Sequence, residues 1–193
     1  MLARKGEATA NERDKVWRLT CSVAGVTGSV NLRALKILLV EDCAGDVRLI
    51  REALKEAPLP VQVTLAGDGI EAMDYLRQVE LELAVRPDLV LLDLNLPRKN
   101  GREVLAEIKN SPTLRAIPVL VMTSSRSDED IEQAYALGAN CYITKPSDLE
   151  EYVNVVRSIE NFWFLTATLP DGSRRTVNMG APSLQDAREH LRN

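Results

Sequence analysis

The chain has little histidine, little cysteine and no long apolar run, and each shortage removes a class of protein. Its single histidine, His190, lies in the C-terminal tail, which excludes a Ser-His-Asp hydrolase built into the body of the fold. Cys21, Cys43 and Cys141 form no CxxC pair, and an odd, widely spaced set is a poor disulfide or zinc framework, so a reducing cytoplasm is the simplest home. The longest purely aliphatic stretches, such as Ile37 to Val40 and Leu89 to Leu92, fall far short of the roughly twenty residues needed to cross a bilayer. No membrane span is expected. Net charge is −4 over 193 residues, but residues 1–36 carry seven Lys/Arg against three Asp/Glu, a surplus of +4, which leaves −8 on residues 37–193. An acidic body argues against a nucleic-acid surface. In residues 1–34 the basic charges are scattered and no apolar signal core follows them, so this segment reads as a disordered extension rather than a targeting signal.

What the chain does have is a recurring unit. Four segments run up a short apolar stretch and stop on a chemically loaded residue: KILLVED at Glu41-Asp42, PDLVLLD at Asp93, IPVLVMTS at Thr123-Ser124, and CYITKP at Lys145. Near-continuous apolar runs of this length read as strands of a parallel sheet buried on both faces. A fifth strand fits Val61 to Ala66. Between the strands lie helical apolar faces: Val47, Ile50, Leu54 and Ala57; Ile70, Met73, Leu76 and Val79; Val104, Leu105 and Ile108; Ile131, Ala134, Tyr135 and Leu137; Leu149, Tyr152, Val156, Ile159 and Trp163. Ser127-x-x-Asp130 and Ser147-x-x-Glu150 fit N-terminal caps, and Gly138 suits the left-handed position past a helix end. Strict alternation predicts an α/β doubly wound, five-stranded parallel sheet of flavodoxin-like order 2-1-3-4-5 with five helices, over residues 35–166. A closed eight-fold barrel would need about 250 residues. Residues 167–193 form a tail, with Asp171-Gly172 suited to a hairpin turn and Ser183-x-x-Asp186 to a short helix start.

In open sheets of this kind ligands sit outside the carboxyl ends of the strands, at the point where the strand order reverses. Glu41, Asp42 and Asp93 end the two strands at that point, and Lys145 is long enough to lean over Asp93. Three acids packed together repel, and desolvation adds to the cost, unless a cation joins them. Carboxylate oxygens completed by water and phosphate describe a Mg²⁺ site, with Asp42 and Asp93 as direct ligands and Glu41 holding a metal-bound water. Asp93 can then act as a nucleophile on phosphorus, with Lys145, the Thr123 hydroxyl and the Ser124 backbone N–H as donors to the transferred group. Taken singly, each residue also has a plain reading: a strand-end turn or helix cap for Asp93, a solvated loop for Glu41-Asp42, a polar linker for Thr123-Ser124, a surface lysine before Pro146. Their convergence at one end of one sheet is what favours chemistry.

Residues 36 to about 164 resemble the receiver domain of two-component response regulators. Glu41-Asp42, Asp93 with Pro97 and Gly101 four and eight residues on, Thr123, and the pair Lys145-Pro146 stand in that family's spacing. The stretches LLDLNLPRKNGREVLAEIK, LGANCYITKP and VVRSIENFW are similar to single-domain response regulators that pair with bacterial phytochromes. The resemblance implies that Asp93 accepts phosphoryl from a kinase phosphohistidine, that Asp42, Asp93 and the Asn95 carbonyl bind Mg²⁺, and that Lys145 and Thr123 read the phosphate. It implies that Tyr142 is the aromatic switch and that the Lys145-Pro146 bond is cis. Cys43 departs from the family, where Asn commonly follows the acidic pair, and reads as an inert packing residue.

Phosphorylation adds about −1.5 to −2 charge at one strand end. The expected response is that Thr123 moves toward the phosphate, Tyr142 turns into the vacated space, and the face made by helix 4, strand 5 and helix 5 is remodelled. Six of the eight aromatics (Tyr135, Tyr142, Tyr152, Phe162, Trp163, Phe164) fall in or after helix 4. Tyr152 and Trp163 read as packing residues on the sheet, but Phe162-Trp163-Phe164 spans about 300° of a helix and cannot all be buried. Some of that area should meet a partner, foremost a second copy related by a two-fold axis in a homodimer formed on phosphorylation; the resemblance separately implies a sensor histidine kinase, a phytochrome by its finer likeness, and a downstream protein target. Two rivals differ in kind. An aspartyl-nucleophile phosphatase of the haloacid dehalogenase type wants a second Asp two residues after the first, where this chain has Asn95, which cannot transfer a proton. A receiver-like interaction module that never takes phosphate would have no use for the acid cluster.

Overall fold

A computed structural model describes residues 8–11, 16–23, 26–55 and 60–170, which fall into two compact units. The smaller unit takes Met1–Ala34 together with Arg174–Asn193. Its described part is an antiparallel sheet in the order β1 (Ala8–Asn11), β2 (Val16–Val23), β3 (Val26–Arg33), with Val23 paired to Val26 and Val16 to Arg33. Strands therefore stand where a disordered extension was expected. The signal was present: Trp17, Leu19, Cys21 and Val23 alternate with Arg18, Thr20 and Ser22, a period of two that the scattered basic charges obscured. The hairpin expected at Asp171-Gly172, the helix start at Ser183 and the position of His190 lie outside the described residues.

The larger unit, Leu35–Ser173, is built on a five-stranded parallel sheet of β4 (Leu35–Val40), β5 (Val61–Ala66), β6 (Leu89–Leu92), β7 (Val119–Thr123) and β8 (Cys141–Thr144). Their spatial order is β5-β4-β6-β7-β8, which counted within this unit is 2-1-3-4-5. The helices are α1 (Ala44–Lys55), α2 (Gly69–Glu80), α3 (Gly101–Asn110), α4 (Asp128–Ala136) and α5 (Leu149–Glu160), and α5 runs on into a π-helical turn, Asn161–Thr166. The apolar runs are buried for the reason they were read as strands. Every residue of β6 and β7 is buried, because both lie inside the sheet with helices on each face. Truncating a side chain such as Leu92 or Leu105 in such a core costs on the order of 2–5 kcal/mol. Both edge strands, β5 and β8, are only partly covered.

Several helix details differ from expectation. α4 buries only Ala134, and Tyr135 stands half exposed, so its apolar spacing does not seat it on the sheet. Ile70 and Leu149 are likewise exposed, each in the first turn of its helix, beyond the reach of the core. The α5 cap is Asp148, whose side chain accepts from the Glu151 N–H, one residue later than the Ser147 box. Ser127 stands at the cap but makes no side-chain cap bond, and the Asp130 carboxylate, which a box would turn back to the Ser127 N–H, accepts from Ser125 and Arg102 instead. Gly138 does adopt the left-handed conformation, at φ 93°. Among the described residues there is no cis peptide, so Lys145-Pro146 is trans rather than cis. None of the described helices is long and apolar enough to cross a membrane.

Candidate functional site

Strand register sets the site. Val40 pairs with Leu92, and the Asp93 N–H donates to the Val40 carbonyl at 3.0 Å, so Glu41-Asp42 and Asp93 leave the sheet side by side. Across β7, Thr123 pairs with Thr144, and the Lys145 N–H donates to the Thr123 carbonyl at 2.8 Å. Carboxylate oxygens of Glu41, Asp42 and Asp93 come within 4.8 Å of one another. Glu41 and Asp93 are buried and Asp42 is exposed, so the cluster opens to solvent on one side.

One ammonium ties the acids together. Lys145 Nζ donates to Glu41 Oε2 at 2.6 Å, to Asp93 Oδ2 at 2.7 Å and to Asp46 Oδ2 at 2.7 Å. Burial alone would lower the Lys145 pKa, but its bonds to Asp46, Asp93 and Glu41 outweigh burial and hold it well above the usual lysine range. Burial is also the main reason the Glu41 carboxyl is raised, with Lys145 pulling the other way. The remaining lone pairs are used locally: Glu41 Oε1 accepts from the Cys43 N–H at 3.1 Å, and Asp93 Oδ1 from the Asn95 N–H at 3.0 Å. Thr123 is fully buried, and its hydroxyl accepts from the Asn95 amide at 3.3 Å. Ser124 follows at the mouth of the β7–α4 loop. Tyr142, on β8, donates its hydroxyl to the Ser125 carbonyl at 3.1 Å, so the aromatic ring is turned toward that same loop.

Two parts of this arrangement escaped sequence reading. Asp46 looked like an ordinary acid in the first turn of a helix, where the dipole favours it, and nothing in its spacing announced a lysine on another strand. The chain Arg102–Asp130–Ser125 braces the loop that carries Ser124 and was read as a helix cap. Cys43 is exposed and does not pack into the core.

Residues 37–157 match the family described as response regulator receiver domain. The chain belongs to that family. Response regulator Rcp1 of Synechocystis sp. is 49% identical over 135 residues, which are 69% of this chain and 92% of that one. The solved structure of the phosphorylated cyanobacterial phytochrome response regulator RcpA is similar at a TM-score of 0.68 and 55% identity, covering 71% of this chain and 99% of that one. The Mn²⁺-bound form of Rcp1 gives 0.67 and 48%, with 70% and 99% covered. The receiver fold of these proteins is the doubly wound sheet described above, and this protein is a signalling receiver related to phytochrome response regulators. Its donor set suits a hard divalent cation: the clustered carboxylates of Glu41, Asp42 and Asp93, with Asp46 beside them, face the one ammonium of Lys145, a deficit of positive charge beside hard oxygen ligands.

Proposed function

We propose that Asp93 is the phospho-acceptor of a two-component phosphorelay, and the contact of Lys145 with Asp93 at 2.7 Å inside a cluster of acids is the observation that carries this reading. Asp93 attacks the phosphorus of a kinase phosphohistidine; the new O–P bond forms as the P–N bond breaks and the imidazole leaves. Lys145, the Thr123 hydroxyl and the Ser124 backbone N–H take the phosphoryl oxygens, and Tyr142 follows Thr123 as the switch. Asp42, Asp93 and the Asn95 carbonyl would hold Mg²⁺, with Glu41 on a metal-bound water, and the ion would supply charge neutralisation. The same residues govern hydrolysis of the aspartyl phosphate, which gives the signal a lifetime.

The kinase partner is a sensor histidine kinase, and the likeness to phytochrome response regulators favours a phytochrome. Output leaves through α4, β8 and α5. Between β8 and α5, at one side of that face, a largely apolar groove of about 820 Å³ is lined by Ile143, Pro146, Val155, Ile159, Phe162 and Trp163. Phe162 stands half exposed, edge-on to Trp163 with ring centroids 5.2 Å apart, which suits docking of a second phosphorylated copy or a downstream protein. The unpaired thiols of Cys43 and Cys141 agree with a cytoplasmic setting. Incubation with acetyl phosphate and Mg²⁺, followed by intact mass measurement, tests the acceptor. One phosphoryl group should appear on the wild type and be absent from Asp93→Asn. Steady phosphate release without an adduct would instead indicate a hydrolase, and an adduct surviving in Asp93→Asn would exclude Asp93.

A further inference from the structure

Lys145 does not rest on the acceptor and the metal-binding acids alone. Asp46, in the first turn of α1, holds its ammonium at the same 2.7 Å as Asp93 does. α1 packs against α5, and in the first turn of α5 lies Tyr152, 2% exposed, whose hydroxyl has no hydrogen-bond partner. A buried hydroxyl left unpaired forfeits its hydration without compensation, so an orphan in a native fold calls for a reason. Burial and then the charge of Asp46, ahead of Glu41 and Asp93, raise the phenol's pKa. Asp46 and the unpartnered Tyr152 hydroxyl thus stand in the first turns of two helices that pack together, with the Lys145 ammonium bound to the first of them.

We propose that Asp46 and Tyr152 are positioning residues that set how far Lys145 is released to the phosphoryl group. With Asp93 unmodified, Lys145 is shared between Asp46 and the site. When phosphoryl oxygens draw the ammonium forward, Asp46 loses its cation, and the Tyr152 hydroxyl donates to it in exchange. That bond removes the pull on Lys145 and so protects the phosphorylated state. No covalent bond changes and the proton stays on the phenol. Because Tyr152 belongs to α5, the exchange ties the acceptor's state to the helix that lines the aromatic groove.

The inference rests on Asp93 being the acceptor, and a double-mutant cycle separates the two. Full-length wild type, Tyr152→Phe, Asp46→Asn and the double variant are phosphorylated with acetyl phosphate and Mg²⁺, the donor is removed, and adduct decay is followed by intact mass. Phe keeps the buried ring. Tyr152→Phe should lose phosphoryl about tenfold or more faster than wild type, the size expected for one hydrogen bond to a charged group. In the Asp46→Asn background the same substitution should change the decay by less than about 1.5-fold, because the two residues act on one another. Equal decay of wild type and Tyr152→Phe, or the same ratio in both backgrounds, overturns the inference while leaving the acceptor intact. A wild type that takes up no phosphoryl overturns both. Should Tyr152→Phe fail to fold, Asp46→Asn decides alone: freed of its competitor, Lys145 should speed uptake about threefold at high as well as low salt, where the general field is screened. Unchanged or slower uptake sinks the proposal.

Discussion

Glu41, Asp46 and Asp93 converge on an ammonium whose side chain is 8% exposed, so Lys145, proposed above to read the phosphate, is also the cation that lets the acids coexist. Removing one partner from a buried charge cluster typically costs 3–5 kcal/mol, because the others are left without compensation. Lys145→Met should therefore lower metal-free stability by about 3 kcal/mol, read from urea midpoints at neutral pH. Millimolar Mg²⁺ should restore more of that loss than it adds to the wild type, because the variant's acids have no competing cation. A midpoint unchanged by the substitution would mean that the ammonium contributes nothing net. Most of this site was legible as separate residues: Glu41, Asp42, Asp93, Thr123 and Lys145 each stop an apolar run, and parallel sheets bring such ends together. Asp46 was not, because its role depends on which way a lysine from a distant strand leans.

The start of α3 is fixed by packing that no side chain announces. Asn100 caps it with a reciprocal box, accepting from the Glu103 N–H at 3.0 Å while the Glu103 carboxylate accepts from the Asn100 N–H at 3.0 Å. The next residue, Gly101, lies so close to β6 that an added Cβ would run into the Asp93 carbonyl and stand 2.7 Å from Leu94 Cα. Gly101→Ala must push helix or strand away. It should cost about 3 kcal/mol in urea unfolding and slow phosphoryl uptake, since the backbone that yields belongs to Asp93, the proposed acceptor. Full uptake with unchanged stability would show that the two elements have slack. Strands β4, β6 and β7 were readable because burial on both faces leaves a continuous apolar signature. α4 was misread, since Ile131, Tyr135 and Leu137 have core-like spacing but the helix buries little more than Ala134. The α5 cap falls at Asp148 rather than Ser147, and the α4 cap stands at Ser127 without its box, because serine, aspartate and glutamate compete at helix starts and tertiary partners such as Arg102 claim some of their oxygens.

Glu160, at the junction of α5 and the π-helical turn, sets how the whole fold responds to pH. It is 2% exposed and its Oε1 has no hydrogen-bond partner; burial, eased by Arg157, pushes its pKa from 4.5 up to about 7. Between those values the native protein keeps a proton that the unfolded chain releases, so stability is greatest at the acid end of the window and falls as pH rises through about 7. The expected loss is on the order of 2–3 kcal/mol. Glu41, also raised, acts in the same direction, whereas the lowered groups Glu52, Glu80 and Asp130 act below the window. Urea midpoints at pH 5 and pH 8 should differ in the wild type and converge in Glu160→Gln; a slope that survives the substitution would assign it elsewhere.

Lys145 enters from β8, the last strand of the sheet along the chain, and must reach past β7 to Glu41 and Asp93, which come from β4 and β6. During synthesis the acids leave the ribosome long before the lysine does. A nascent receiver therefore carries mutually repelling carboxylates and no intact acceptor pocket, and becomes competent to signal only once its final strand has been laid against the edge.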